Sequence, residues 1–176
     1  MKIRQIIRSF LDIIHARFRP HAFLRRKGMR FGKDCRFYCN VYKMISTEPW
    51  AITLGDRVHI TVNVRFVTHD GGTLLFRDKV PDLELTFPIR VGNDVYIGVD
   101  TILLPGVTIG DNVIIGAGSV VTKDCESGYV YAGNPAKKIK TMEEYFEKAQ
   151  SRSQHLGHLK GKEKDLALRK FYGIEK

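Results

Sequence analysis

Three things are scarce in this sequence, and each scarcity removes a class of protein. Only three cysteines occur, Cys35, Cys39 and Cys125, and no two of them form a Cys-x-x-Cys pair. An odd, scattered set indicates neither a disulfide framework nor a zinc ribbon, so they read as reduced, small core residues. Long apolar runs are missing too. None approaches the roughly 18 residues of a membrane span, and Asp12 and His15 interrupt the stretch that a signal-peptide core would occupy. Both absences predict a cytoplasmic protein. Histidine is thin in the centre, where only His59 and His69 of the six lie between residues 31 and 136.

What is present suffices for one domain. With 176 residues, 43% of them apolar, a compact fold buries about 70% of its unfolded surface and needs no metal or disulfide staple. The net charge of +10 suggests nucleic acid until it is divided along the chain. Residues 1–30 hold nine basic residues and one acid, residues 137–176 eleven and six, and residues 31–136 nine and twelve. The body is slightly acidic. A nucleic-acid surface mixes Lys and Arg with aromatics along one face of the body, so this distribution argues against a nucleic-acid partner.

A six-residue period dominates the centre. From Val91 a large aliphatic returns at Ile97, Leu103, Ile109, Ile115 and Val121, and glycine follows four of these six leading residues, as Gly92, Gly98, Gly110 and Gly116. The same register recurs in Leu54-Gly55-Asp56, Ile60 and Phe66, and less regularly in Phe31-Gly32-Lys33-Asp34 and Phe37. Helical residues six apart point to nearly opposite faces, so the period excludes a helix over residues 91–124 and leaves short strands that turn at each hexad. Three hexads close a triangular coil of 18 residues. This arrangement stacks Val91 with Ile109, Ile97 with Ile115 and Leu103 with Val121 in a parallel β-helix whose handedness the period does not give.

Residues 71–88 have no hexad register and predict a projecting loop, of a length that usually covers a functional site. The N-terminus reads as a helix in which Ile3, Ile6, Ile7, Phe10, Leu11, Ile14 and Phe18 form one stripe before Pro20 stops it. That stripe is expected to cap the open end of the solenoid; weak contact of residues 1–30 with an anionic membrane surface is the alternative. The domain organisation predicted is a helical cap over 1–30, the β-helix over 31–136 and a charged helical segment over 137–176, helical from Met142.

Four stretches carry a resemblance: Gly92-Asn93-Asp94-Val95-Tyr96-Ile97-Gly98, the run from Leu104 through Pro105-Gly106 to Val113, the run from Gly116 to Asp124, and Ala132-Gly133-Asn134-Pro135-Ala136. Together they resemble the hexapeptide-repeat acyltransferases, in the branch of the maltose and galactoside O-acetyltransferases. The resemblance implies an all-β, left-handed parallel β-helix with terminal helical segments, a homotrimer, an acetyl-CoA donor and a sugar or sugar-containing acceptor. Left-handed crossovers depart from the general rule for parallel strands, so the hand rests on the resemblance alone.

His69 stands where the register fails and the long loop begins, in Phe66-Val67-Thr68-His69-Asp70-Gly71-Gly72. An imidazole, with an ordinary pKa near 6.5, can take a proton from a hydroxyl and pass it to a leaving thiolate. The resemblance implies the same role, although the catalytic histidine of many members sits two residues later in its hexad. Asp70 could orient His69 or meet the acceptor, but neighbours in an extended strand point to opposite sides, so a backbone carbonyl is the expected orienting group. His59 reads as structural or merely exposed.

A pantetheine arm lying along the coils favours small residues, a need that Gly98, Gly116 and Ala117 meet. The family's other donor contacts map onto Tyr96, Val99, Thr122, Lys123, Lys137 and Lys140, the last two standing where Arg is frequent and lacking its bidentate geometry. Asn40 loosely resembles an acceptor-binding asparagine. No metal is expected, because the related zinc-dependent carbonic anhydrases use three histidines and the repeat region has two. An inward-pointing Cys35 argues against an acyl-cysteine route. Transfer to an amine and a non-catalytic scaffold remain alternatives.

Overall fold

Each hexad lays down one short strand and one corner. The computed structural model describes residues 2–174, with side chains from residue 6 onward. Helices α1 (Lys2–Phe18) and α2 (Pro20–Arg26) lead into the first coil, built from β1 (Arg30–Phe31), β2 (Arg36–Phe37) and the short helix α3 (Val41–Met44). The second coil holds β3 (Ile52–Leu54), β4 (His59–Ile60) and β5 (Arg65–Phe66), and the third β6 (Ile89–Val91), β7 (Val95–Ile97) and β8 (Ile102–Leu103). The fourth holds β9 (Thr108–Ile109), β10 (Val113–Ile115) and β11 (Val120–Val121), after which come β12 (Tyr129–Ala132) and β13 (Lys137–Thr141).

Strands of the same rank pair in parallel to make three faces. The first is β1-β3-β6-β9, the second β2-β4-β7-β10-β12 with β13 at its end, and the third β5-β8-β11. Val91 pairs with Ile109, Ile97 with Ile115 and Leu103 with Val121, as the period predicts. Leu54, Ile60 and Phe66 continue these columns, and none of the nine side chains is more than 4% exposed. At about 1.5–3 kcal/mol for each buried aliphatic, these columns are the main favourable term that the fold has.

The corner between the first and second faces depends on glycine. A Cβ on Gly55 would lie 2.7 Å from the carbonyl oxygen of Gly92, and one on Gly92 would lie 2.8 Å from that of Gly110. Beside this stack runs a ladder of side-chain oxygens. Asp56 Oδ1 accepts from the Lys33 N–H at 2.7 Å, Asn93 Oδ1 from Asp56 at 2.8 Å, and Asp111 Oδ1 from Asn93 at 2.5 Å. Each coil thus satisfies backbone donors of the coil before it.

Register breaks measure the insertions. Paired positions are 18 residues apart between the third and fourth coils, 37 apart between the second and third, and 23 apart between the first and second. The larger excess falls in residues 67–88, where Asp70 N–H donates to the Leu85 carbonyl and Phe87 N–H to that of Thr68, so a short ladder holds the base of the projection. The smaller excess, about five residues, falls in 38–51. There α3 replaces a strand, burying Val41 and Met44.

Two terminal expectations need correction. Phe23 and Leu24 of α2, fully buried, cover the open end of the coil, whereas the stripe of α1 does not. Helix α1 packs through Asp12 and Ala16 instead, with Asp12 held by Arg26 and Lys27 at 2.6 Å each, and turns Ile6, Ile7, Phe10, Leu11 and Phe18 outward. Ile3 lies outside the described side chains. At the other end, residues 137–141 are not helical but form β13, antiparallel to β12, because pairing there satisfies the last parallel strand's open edge. Residues 143–176 form a separate unit containing most of α4 (Met142–Ser151) and α5 (Gly161–Phe171). Among the described residues no helix is long and apolar enough to cross a membrane.

Gly55→Ala should lower stability by about 1–3 kcal/mol through overpacking against the next coil. Gly157→Ala, with open space around the added Cβ, should leave it within about 0.5 kcal/mol. Denaturant unfolding of the two variants beside the parent checks the contrast.

Candidate active site

Both insertions leave the solenoid on the same passage, from the third face back to the first. The segment 38–51 does so between the first and second coils, and 67–88 does so one coil later. Adjacent coils bring Glu48 and His69 together. Glu48 Oε2 lies 2.8 Å from His69 Nδ1 and accepts from Thr68 Oγ1 at 2.6 Å, while Thr47 Oγ1 donates to Oε1. Ser46 Oγ adds a contact at 3.4 Å. Thr68 is fully buried, which leaves its hydroxyl little freedom to swing away.

The geometry sets the tautomer of the imidazole. A carboxylate only accepts, so Nδ1 carries the hydrogen and Nε2 keeps its lone pair. Burial pushes the Glu48 carboxyl up, but hydrogen bonds from Thr47, Thr68 and His69 and the charge of the imidazolium outweigh it and bring it down to about 2. Glu48 is therefore an anion at any pH at which His69 acts as a base. A cavity of about 480 Å³ adjoins the pair, lined by Val67, His69, Leu85, Phe87, Pro105 and Thr122 among others. His69 is about one-third exposed, the accessibility that a base meeting a substrate requires.

Glu48 corrects the expectation that a backbone carbonyl orients His69. It also displaces Asp70, whose Oδ1 accepts from the Gly72 N–H at 2.8 Å and so caps the short helical turn over Gly71–Phe76. The only trace of Glu48 in the sequence is the register failure across 38–51, with the hydrogen-bonding run Ser46-Thr47-Glu48 just ahead of Pro49.

Known proteins share this architecture. The bacterial transferase hexapeptide family (six repeats) matches residues 88–123. Protein CapG of Staphylococcus aureus is 45% identical over 145 residues, 82% of this chain and 84% of that protein. The chain belongs to the hexapeptide-repeat acyltransferase family. Its fold is accordingly the family's left-handed parallel β-helix. Galactoside O-acetyltransferase of Escherichia coli is 38% identical over 123 residues, 70% of this chain and 59% of that enzyme. A hexapeptide-repeat acetyltransferase of Vibrio cholerae, solved with acetyl coenzyme A, superposes with a TM-score of 0.55 at 26% identity, covering 69% of this chain and 75% of that one.

The residues to which the family's contacts map are spread over the prism. Thr122 lines the His69 cavity and Lys123 follows it. Gly98, Val99, Gly116 and Ala117 occupy the opposite edge of the third face, and Tyr96 lies on the second face between His59 and Ile114. Lys137 and Lys140 stand on β13. Gly98 and Gly116 have a structural reason to be small, since a Cβ on Gly98 would lie 2.5 Å from the Ala117 nitrogen and one on Gly116 2.9 Å from Ala132 Cβ. Asn40 caps α3, accepting from Tyr42 N–H at 3.1 Å, and lines a different cavity, of about 350 Å³, with Lys43, Asn63 and Asp100. One chain does not bring Asn40 to His69.

The depressed Glu48 carboxyl makes a stability prediction. Because its folded value lies below the ordinary 4.5, its stabilisation is complete above that pH and is lost as pH falls towards 2. Glu48→Gln should therefore unfold more easily at pH 7, by about 1–3 kcal/mol for the lost charge-assisted hydrogen bonds, with the gap from the parent closing in acid. Denaturation at stepped pH measures it; a gap that does not change with pH contradicts the assignment.

Proposed function

We propose that this protein transfers acetyl from acetyl-CoA to a hydroxyl of a sugar or sugar-containing acceptor, with His69 as general base. The observation that carries the reading is the Glu48–His69 pair at the mouth of a cavity. A hexapeptide scaffold without chemistry has no use for a buried hydroxyl and a carboxylate that together fix one imidazole tautomer. Similarity to galactoside O-acetyltransferase, and to an acetyltransferase solved with acetyl coenzyme A, supports the choice of donor and of a hydroxyl acceptor.

His69 Nε2 removes the acceptor proton as the oxygen attacks the thioester carbonyl. The tetrahedral adduct then collapses, the C–S bond breaks, and the imidazolium returns the proton to the departing thiolate. Glu48 holds Nδ1–H throughout and faces the transient positive charge. Attack is direct. The three thiols have no part in it: Cys35 and Cys125 are buried, and burial pushes Cys39 and Cys125 up to about 11.

Three features support a homotrimer with sites shared between chains. Donor-mapped residues stand at both edges of the third face, Asn40 lies away from His69, and Leu74, Leu75 and Phe76 of the projecting loop are exposed. A neighbouring chain would complete each half. The three free cysteines and the donor both fit a cytoplasmic setting.

His69→Ala should lower turnover by about 10²- to 10⁴-fold with little change in donor affinity. His59→Ala is the control: its Nδ1 meets Tyr38 OH at 3.3 Å on the second face, away from the cavity, and most activity should remain. Release of free CoA with a panel of sugars and nucleotide sugars provides the assay, and near-parent turnover in His69→Ala removes the assignment.

A further inference from the structure

The amphipathicity of α1 is inverted relative to its packing. A surface helix normally buries its apolar stripe and turns its polar side to water. Among the described side chains of α1 the buried ones are Asp12 and Ala16, on the polar side, while Ile6, Phe10 and Phe18 are 67%, 61% and 78% exposed and Ile7, Leu11 and Ile13 stand beside them. Asp12 is the one acid among residues 1–30 and is spent internally, on Arg26 and Lys27 at 2.6 Å each. Arg8, Arg17 and Arg19 are exposed along the same helix and the turn after it.

Charge decides what covers this stripe. With nine basic residues against one acid, two such segments brought together would repel, so the same segment of a second copy is a poor cover. An anionic lipid surface satisfies both halves: headgroups neutralise the arginines while the apolar side chains enter the acyl boundary. We propose that α1 is a membrane-surface helix through which this protein docks on anionic lipid. It lies in the interface plane and does not cross it. Burying Asp12 in paired form makes the arrangement workable, because it fixes the helix to α2 by the face opposite the stripe and removes the only charge that anionic headgroups would reject. This holds whatever acceptor the enzyme uses.

Flotation of the full-length protein with vesicles of phosphatidylcholine alone, and with about 30% phosphatidylglycerol added, tests the proposal. Binding to the anionic vesicles should be at least about tenfold stronger and should weaken markedly in about 0.5 M salt. The triple variant Ile6→Ser, Phe10→Ser, Phe18→Ser should lose it while keeping the parent's melting temperature and CoA-release activity. Arg8→Gln with Arg17→Gln should weaken binding and reduce its salt dependence. Failure of the parent to float with anionic vesicles overturns the proposal. So does a triple variant that melts well below the parent, which would mean that the stripe packs within the fold, or one that sediments as a smaller assembly, which would mean that it joins copies of this chain.

Discussion

Close approach of successive coils at the glycine corner is the constraint on which the rest of the structure depends. Backbone carbonyls stack there with no room for a Cβ, which at Gly55 and Gly92 would come within 2.7 and 2.8 Å of the next coil's carbonyl oxygen. The Asp and Asn oxygens of the neighbouring ladder then accept the N–H groups that the turn leaves open. With that spacing set, columns such as Leu54, Val91 and Ile109 fall into contact and the interior fills with aliphatic side chains. A strand of only two or three residues has little stability by itself; stacking supplies it.

A scaffold this regular makes its exceptions informative. Two segments exceed the hexad count, and both leave on the same passage between faces, one coil apart. That coincidence puts a carboxylate from one and an imidazole from the other 2.8 Å apart. Neither segment makes the pair alone. The solenoid holds them rigidly because β3 follows Glu48 within four residues and β5 precedes His69 within three, so the pair stands on short tethers from packed strands.

The period of six made the coils, their 18-residue closure and the stacking partners legible, because a repeat in which leading aliphatics and corner glycines recur leaves few other structures. His69 was legible as well, as a histidine at the point where that repeat fails. Glu48 was not. Its partnership spans 21 residues, with the whole second coil between the two partners, and local pattern carries no signal for which coil a bulge will face. The α1 stripe was visible but its direction was not: amphipathicity names two faces and does not say which one the fold uses. Pairing of Asp12 with Arg26 and Lys27 decided it, a tertiary contact that no helical wheel contains. Likewise Lys137 to Thr141, polar and rich in lysine, form a strand because β12 offers them an edge.

The proposed chemistry depends on Glu48 and His69 acting as one unit, the carboxylate working only through the imidazole. A double-mutant cycle on the rate of CoA release measures this most directly, with Glu48→Gln, His69→Ala and the two combined compared at saturating donor. If the carboxylate acts through His69, removing it costs turnover in the parent but nothing further once His69 is gone, so the double variant matches His69→Ala. Costs that simply multiply would contradict this dependence, because Glu48 would then contribute to the reaction by a route that does not pass through His69.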